Sequence, residues 1–217
     1  MAITPTVRLI KPTEPEIEQL VQVLLRAFVG DILIQTMTDG VLARKRQLFR
    51  LSLRAAALEG AIFVVDAVRA PGHFTCVAVC FGPGTDFLGS EAQMALGGTE
   101  FFNEMSQKTS DWWENYYGPK GRELRDKTLG EQGMTDSWWP VLIATDPKYQ
   151  RKGYGSALLK AICERAKRDN TIAGLVTTSE YNVRFYESLG FKNLGQIDIS
   201  SSFGSWISTI MSWEDKA

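Results

Sequence analysis

An apolar run, Val141-Leu142-Ile143-Ala144-Thr145, leads into Gln150-Arg151-Lys152-Gly153-Tyr154-Gly155-Ser156-Ala157. Beyond it, Ala157, Leu158, Ala161, Ile162 and Arg165 follow helical periodicity. A strand feeding a glycine-broken turn at a helix start makes an anion site. The first helical N–H groups have no partner within the helix. The helix dipole adds partial positive charge there. Gly153 and Gly155 lack a Cβ, so backbone can come close to a phosphate. A phosphate-bearing cofactor is the first expectation.

Three phosphate motifs compete for this stretch. A P-loop needs G-x-x-x-x-G-K-[ST], but Gly155 is followed by Ser156-Ala157. A dinucleotide fingerprint needs a third glycine, and Leu158 stands in its place. The pattern [QR]-x-x-G-x-[GA] is met by Gln150, Gly153 and Gly155. It is the pyrophosphate-binding signature of the GCN5-related N-acetyltransferases (GNAT), which the chain resembles here. Taken alone, the turn also reads as an ordinary strand-to-helix connection. A second motif, Phe185-Tyr186-Glu187-Ser188-Leu189-Gly190-Phe191, lies about 30 residues further on. It resembles the family's Y-E-x-L-G-F, at the family's spacing. Gly190 reads independently as a helix C-terminal glycine.

The resemblance implies an α/β (α+β) fold: a mixed, mostly antiparallel central sheet of six to seven strands flanked by helices. Residues 1–217 would form one N-acetyltransferase domain. Thr6 to Ile10 reads as a first strand, and Thr13-Glu14-Pro15-Glu16 as a capped helix start. A helix is expected from about Val41 to Glu59, ending at Gly60. Ala61–Val68 and Thr75–Phe81 suit a hairpin turning at Pro71-Gly72. Gly174–Thr178, Phe191–Ile199 and Ser205–Met211 are later strands.

Residues 82–137 stand apart, as an insertion between the third and fourth strands. Such a length is too great for a structureless loop. Phe101, Phe102 and Met105, then Trp112, Trp113, Tyr116 and Tyr117, recur at helical spacing. One or two helices on the substrate side are expected, and aromatic stripes are also common packing. A long insertion before the fourth strand, Leu175-Val176-Thr177-Thr178-Ser179 followed by Asn182, and the late Gly204-Ser205-Trp206 resemble the puromycin N-acetyltransferase branch.

The family's reaction is attack of an amine on the thioester of acetyl-CoA. Resemblance implies that Tyr186 protonates the leaving thiolate. A free phenol titrates near 10, so it is protonated at neutral pH. A merely buried tyrosine is the alternative. For the cofactor, resemblance implies Ile143, Ala144 and Thr145, where the fourth strand splays from the fifth. It adds Gln150 and the stretch Arg151, Lys152, Gly153, Tyr154, Gly155, Ser156 around the pyrophosphate. Arg151 and Lys152 also fit a solvated face. The commonest family pattern places asparagine where this chain has Ser179. The puromycin-type branch places it at the position of Asn182, one helical turn before Tyr186. Both residues are cofactor candidates.

No general base is visible. Histone-type relatives carry glutamate where this chain has Trp139, which is expected to pack at the acetyl group or close the substrate slot. Phe102 and Trp113 are further substrate-wall candidates. Asp136, Glu131, Glu123, Glu104, Asp111 or a water chain could serve as base. His73 reads as a surface residue.

The net charge of −1 gives no reason to expect nucleic acid. No apolar stretch reaches the ~20 residues of a membrane span, and Met1 to Ile10 lacks a signal-peptide run. Three cysteines, Cys76, Cys80 and Cys163, lack metal-ligand spacing, so no metal is expected. Reduced thiols point to the cytoplasm. The resulting expectation is an acetyl-CoA-dependent N-acetyltransferase for a small-molecule amine. A protein or peptide amine acetyltransferase and a non-catalytic acyl-CoA sensor are the alternatives. The exposed strand edges of the fold suit a homodimer.

Overall fold

The computed structural model describes residues 5–67 and 70–215. β1 (Val7–Ile10) leads into α1 (Glu14–Ala27), α2 (Ile32–Met37) and α3 (Leu42–Glu59). The Thr13 amide donates to Glu16 Oε2 at 2.8 Å, half of a capping box that fixes where α1 begins. Ile17, Leu20, Val21 and Leu24 are buried, one face of α1 against the sheet. α2 is a helix the sequence reading missed. It is short, and its start depends on Asp31, whose carboxylate accepts from the Ile34 amide at 2.8 Å.

β2 (Ala61–Ala67) and β3 (Ala70–Phe81) are antiparallel neighbours. The turn expected at Pro71-Gly72 is instead part of β3. Partners run Ala67↔Ala70 and then Asp66↔Phe74, so residues 71–73 form a bulge. Gly72 takes a positive φ of 80° there. Val68, the expected end of the second strand, lies outside the described residues, as do Met1–Thr4 of the N-terminal reading.

The segment between β3 and β4 folds as four short helices: α4 (Glu91–Met94), α5 (Gly98–Asn103), α6 (Gln107–Trp112) and α7 (Gly118–Leu129). A π-helical turn, Trp113–Tyr117, joins the last two. Its wider winding stacks the Trp112 and Tyr117 rings, five residues apart, at 4.9 Å and 20°. Then follow β4 (Trp139–Thr145), a 3-10 turn (Pro147–Tyr149), α8 (Tyr154–Arg168), β5 (Ala173–Thr177), α9 (Glu180–Glu187), β6 (Lys192–Ser201) and β7 (Gly204–Trp213).

Among the described residues seven strands flanked by helices match the expected class, but the sheet is split. One sheet has the order β1-β2-β3-β4, the other β5-β7-β6. Among the described residues a single parallel bridge, Trp138↔Ala173, joins them. β4 carries an irregularity beside Pro140: Cys80 faces Pro140, and Val79 faces Leu142. Proline has no N–H for a ladder, so it sits where pairing is interrupted. The bulge bends β4, and the two sheets part beyond the bridge.

At that bridge Trp139 lies across Gly174. A Cβ on Gly174 would stand only 2.3 Å from Cζ3 and 2.6 Å from Cε3 of the indole, well inside contact distance. Gly174→Ala is expected to lower stability by about 1–3 kcal/mol through overpacking, read from urea midpoints. Wild-type stability in that variant would show that the indole moves aside freely.

Candidate functional site

The parting of β4 and β5 leaves a cleft of about 380 Å³. Ile143, Ala144 and Thr145 line it from the β4 side. Among the described residues this part of β4 pairs only with β3, so its other edge faces the gap. A strand edge is a ready template for an extended ligand with amide groups. Thr145 Oγ1 is 2.9 Å from Cys76 Sγ, which orients its hydroxyl.

The glycine turn closes the next side. Arg151 and Gly153 both have positive φ, 58° and 83°. Gly153 is the N-cap of α8, in the left-handed region that suits glycine. The first intrahelical bond runs from the Ala157 amide to the Gly153 carbonyl at 2.9 Å. The amides of Tyr154, Gly155 and Ser156 precede it and therefore lack intrahelical acceptors. All three residues line the cleft, with Gln150, Arg151 and Gly153. The turn is thus a concave set of donors at the positive end of a helix.

The individual side chains of this turn divide. Tyr154 turns its ring into the core, edge-on to Tyr149 at 6.2 Å, so it offers the site its backbone. Gln150 Nε2 donates to the Thr145 carbonyl at 3.2 Å and braces the turn. Lys152 lies outside the cleft. Its Nζ donates to the Lys148 carbonyl at 3.0 Å and sits 5.2 Å from the Tyr149 ring centre. Arg151 is the cation of the turn that reaches the lining.

α9 supplies the third wall. Asn182 and Tyr186, one turn apart, both line the cleft. Phe191 N–H donates back to the Tyr186 carbonyl at 3.1 Å, and Gly190 has φ 91°, so the helix ends in a left-handed glycine turn. Rings of Phe185 and Phe191 stand 5.4 and 5.8 Å from the Tyr186 ring. Burial pushes the Tyr186 phenol up to about 12. Ser179 is not in the lining. It is the N-cap of α9, and its amide faces Thr177 Oγ1 at 3.4 Å.

The three substrate-wall candidates also stand outside. Trp139 belongs to a small cluster with Leu124 and Ile210. Phe102 packs on Phe101 at the edge of the main core. Trp113 lines a separate surface groove with Arg122 and Glu123. Its neighbour Trp112 donates from Nε1 to the Ser200 carbonyl at 2.7 Å, and the Tyr116 hydroxyl accepts from the Ser200 amide at 3.1 Å. The insertion thereby braces the β6–β7 hairpin. The five carboxylates considered as bases do not line the cleft. Glu104, for example, accepts from Gln47 Nε2 at 2.8 Å. His73 is exposed and lies beside Tyr149 at 6.4 Å.

Ala27, Phe28, Asp31, Tyr149, Tyr181 and Phe185 complete the lining and were not anticipated. Tyr181 and Phe185 share a face of α9 four residues apart, a signal legible in the sequence. Ala27, Phe28 and Asp31 lie at the α1–α2 junction, where no local pattern marks a site.

Asp146 ties this junction to the glycine turn. Its carboxylate receives Arg26 Nε at 2.7 Å and the Lys148 amide at 3.0 Å. Burial opposes its charge, but the Lys148 amide and the Arg26 guanidinium outweigh that and hold its pKa below the usual range. A depressed pKa gives stability that is complete above the unfolded value, ~4, and is lost as pH falls through the folded value. Asp146→Asn is therefore expected to destabilise the fold at pH 7, with the gap to wild type narrowing below about pH 4. Thermal midpoints between pH 7 and 2 test this. A gap independent of pH would remove the electrostatic account.

Residues 122–193 match the family model described as an acetyltransferase (GNAT) domain. Solved structures share the fold along almost the whole chain. One, described as histone acetyltransferase HPA2 and related acetyltransferase from Corynebacterium glutamicum, gives a TM-score of 0.64 at 22% identity, covering 97% of this chain and 96% of that one. Arylalkylamine N-acetyltransferase 2 from Aedes aegypti gives 0.64 at 15% identity, covering 96% and 98%. The yncA protein of Salmonella typhimurium, solved with its cofactor acetyl-CoA, gives 0.57 at 15%, covering 98% and 94%. At these identities the likeness is one of fold, and the fold is that of the GNAT acetyltransferases.

Proposed function

We propose that this chain binds acetyl-CoA in the β4–β5 cleft and transfers its acetyl group to a primary amine of a small molecule. One observation carries the reading: an unpaired strand edge, a helix start with free amides and a buried tyrosine hydroxyl meet in one cleft. The three match the three chemical parts of the donor. Edge amides of Ile143 to Thr145 suit the pantetheine amides. The amides of Tyr154, Gly155 and Ser156, with Arg151, suit the pyrophosphate. The hydroxyl of Tyr186 suits the sulfur.

In this reading the amine attacks the thioester carbonyl directly. A backbone amide of β4 donates to the developing oxyanion. Tyr186 gives its proton to the departing thiolate. Its raised pKa keeps that proton in place throughout the neutral range. Asn182 orients the donor beside it. The placement of Asn182, rather than Ser179, on the cleft favours the puromycin-type pattern.

A cleft volume of about 380 Å³ favours a small acceptor over a peptide. A cytoplasmic setting is supported by Cys76, Cys80 and Cys163, which are buried and free. Among the described residues no helix is long and apolar enough to cross a membrane.

The test is a screen of amines (amino acids, polyamines, aminoglycosides, arylamines, nucleoside antibiotics), following free thiol release from acetyl-CoA. Release that depends on one amine class supports transfer. Tight acetyl-CoA binding with no release for any amine, peptides included, would favour the sensor reading.

A further inference from the structure

The acceptor amine must lose a proton, and the cleft contains one carboxylate among the described residues of its lining, Asp31. It stands at the α1–α2 junction, next to Phe28 and Ala27, in the same cleft as Tyr186. Its Oδ1 is engaged by the Ile34 amide at 2.8 Å, which fixes the carboxylate at the head of α2. One further contact holds the junction in place: Arg26, just before it, is held by Asp146. Ile32, just after Asp31, lies close to Gly204 of the β6–β7 hairpin, its Cδ1 3.0 Å from where a Cβ on that glycine would stand. The group is therefore held by the Ile34 amide and the neighbouring ion pair rather than carried on a free loop.

We propose that Asp31 is the acceptor-side catalytic residue: its carboxylate holds the ammonium end of the amine and takes the proton released before attack. This rests on the acetyl-transfer reading above. The acceptor class is a compact primary ammonium on an apolar body, the ammonium on Asp31 and the body against Phe28 and Ala27. Asp31 removes one ammonium proton and passes it to solvent. The nitrogen lone pair then forms the C–N bond, and the C–S bond breaks with its electron pair on sulfur. Tyr186 protonates that sulfur, and its phenolate takes the second nitrogen proton. One acetamide, one free CoA thiol and one released proton result.

Burial pushes the Asp31 carboxyl up, against the Ile34 and Leu33 amides and the Lys45 charge, which act to lower it. A raised carboxyl is a better proton acceptor than an exposed aspartate. The titratable groups facing it are Lys45 from α3, Tyr117 from the π-helical turn, and Tyr186 with Arg151 across the cleft. Burial pushes the Tyr117 phenol up to about 12, Arg125 and a Ser208 hydrogen bond oppose this, and the Asp31 charge adds to the rise. Tyr117 therefore stays a neutral neighbour through the working range.

Asp31→Asn tests the assignment. Asparagine caps a helix about as well as aspartate, so α2 keeps its start. Acetyl-CoA affinity is measured by calorimetry on both proteins, and thiol release with 2-phenylethylamine is followed from pH 5 to 9. Equal acetyl-CoA affinity and a fall in kcat/KM of about 100-fold at pH 7 are expected. The profile should also change shape. Wild type, which accepts the ammonium form, should reach a plateau. The variant should follow the neutral amine and rise about tenfold per pH unit below the amine pKa, near 10. Activity within threefold of wild type on an unchanged profile overturns the role of Asp31 and leaves acetyl transfer standing. Wild type that binds acetyl-CoA but leaves 2-phenylethylamine unacetylated overturns the acceptor class. Wild type that does not bind acetyl-CoA overturns the underlying reading instead.

Discussion

Tyr186→Phe should lower kcat by about 10²–10⁴ at neutral pH, the usual worth of a positioned general acid, while acetyl-CoA affinity and stability stay near wild type. The change removes one oxygen and keeps the ring. The ring does the packing, between Phe185 and Phe191 in the cluster beneath α8. Burial is the sole cause acting on its phenol, with no hydrogen-bond partner contributing, so no buried partner is orphaned by its loss. Burial alone raises the phenol to about 12. The wild-type rate should then show no alkaline loss from this group until well above pH 10. Stopped-flow thiol release across pH, beside calorimetry with acetyl-CoA, separates the two roles of the residue. Unchanged turnover at saturating amine over the full profile would leave Tyr186 a core residue only.

Gly155→Ala should weaken acetyl-CoA binding by about 10- to 100-fold without harming the fold. A Cβ on Gly155 would stand 3.5 Å from Thr145 Oγ1 and 3.6 Å from the Phe185 ring, ordinary contact distances. The backbone is helical, and alanine is a better helix former than glycine by about 1 kcal/mol. The free protein is thus expected to hold or gain stability. A bound pyrophosphate would meet the new methyl, at a cost of about 1–3 kcal/mol for overpacking, and 1.4 kcal/mol is a tenfold change in affinity. The opposed signs make the test clean: the thermal midpoint holds while Kd rises. Equal affinity in the variant would move the phosphate site away from the start of α8. Gly153 is less decisive, because its φ of 83° penalises any side chain before a ligand arrives.

How much of the site was legible can be argued from its three walls. Gly153 and Gly155, with the apolar run before them, are a local pattern, and they do form a helix start with free amides. Asn182 and Tyr186 were legible as a pair because helix geometry places i and i+4 together. Ser179 was equally plausible in one dimension. It stands at the N-cap of α9, outside the cleft lining. Lys152 stands outside the lining, its Nζ donating to the Lys148 carbonyl at 3.0 Å. Where the aromatic residues would stand was not legible, because helical spacing reports a shared face but not what that face meets. Trp112 and Tyr116 meet the β6–β7 hairpin, and Trp139 meets Gly174.

Sequence by itself determined the strand-turn-helix connection with its glycine N-cap, the glycine end of α9, the order of the strands along the chain and the helical character of the insertion. Each depends on contacts within a few residues, which periodicity and the φ preference of glycine record. Only the tertiary structure decided that the sheet divides at one bridge, that the freed edge of β4 faces α9, and that Asp31 joins them from the α1–α2 junction. Those outcomes depend on pairings between residues far apart in the chain: Trp138 with Ala173, and Arg26 with Asp146. No local pattern encodes a meeting whose two halves are specified more than thirty residues apart.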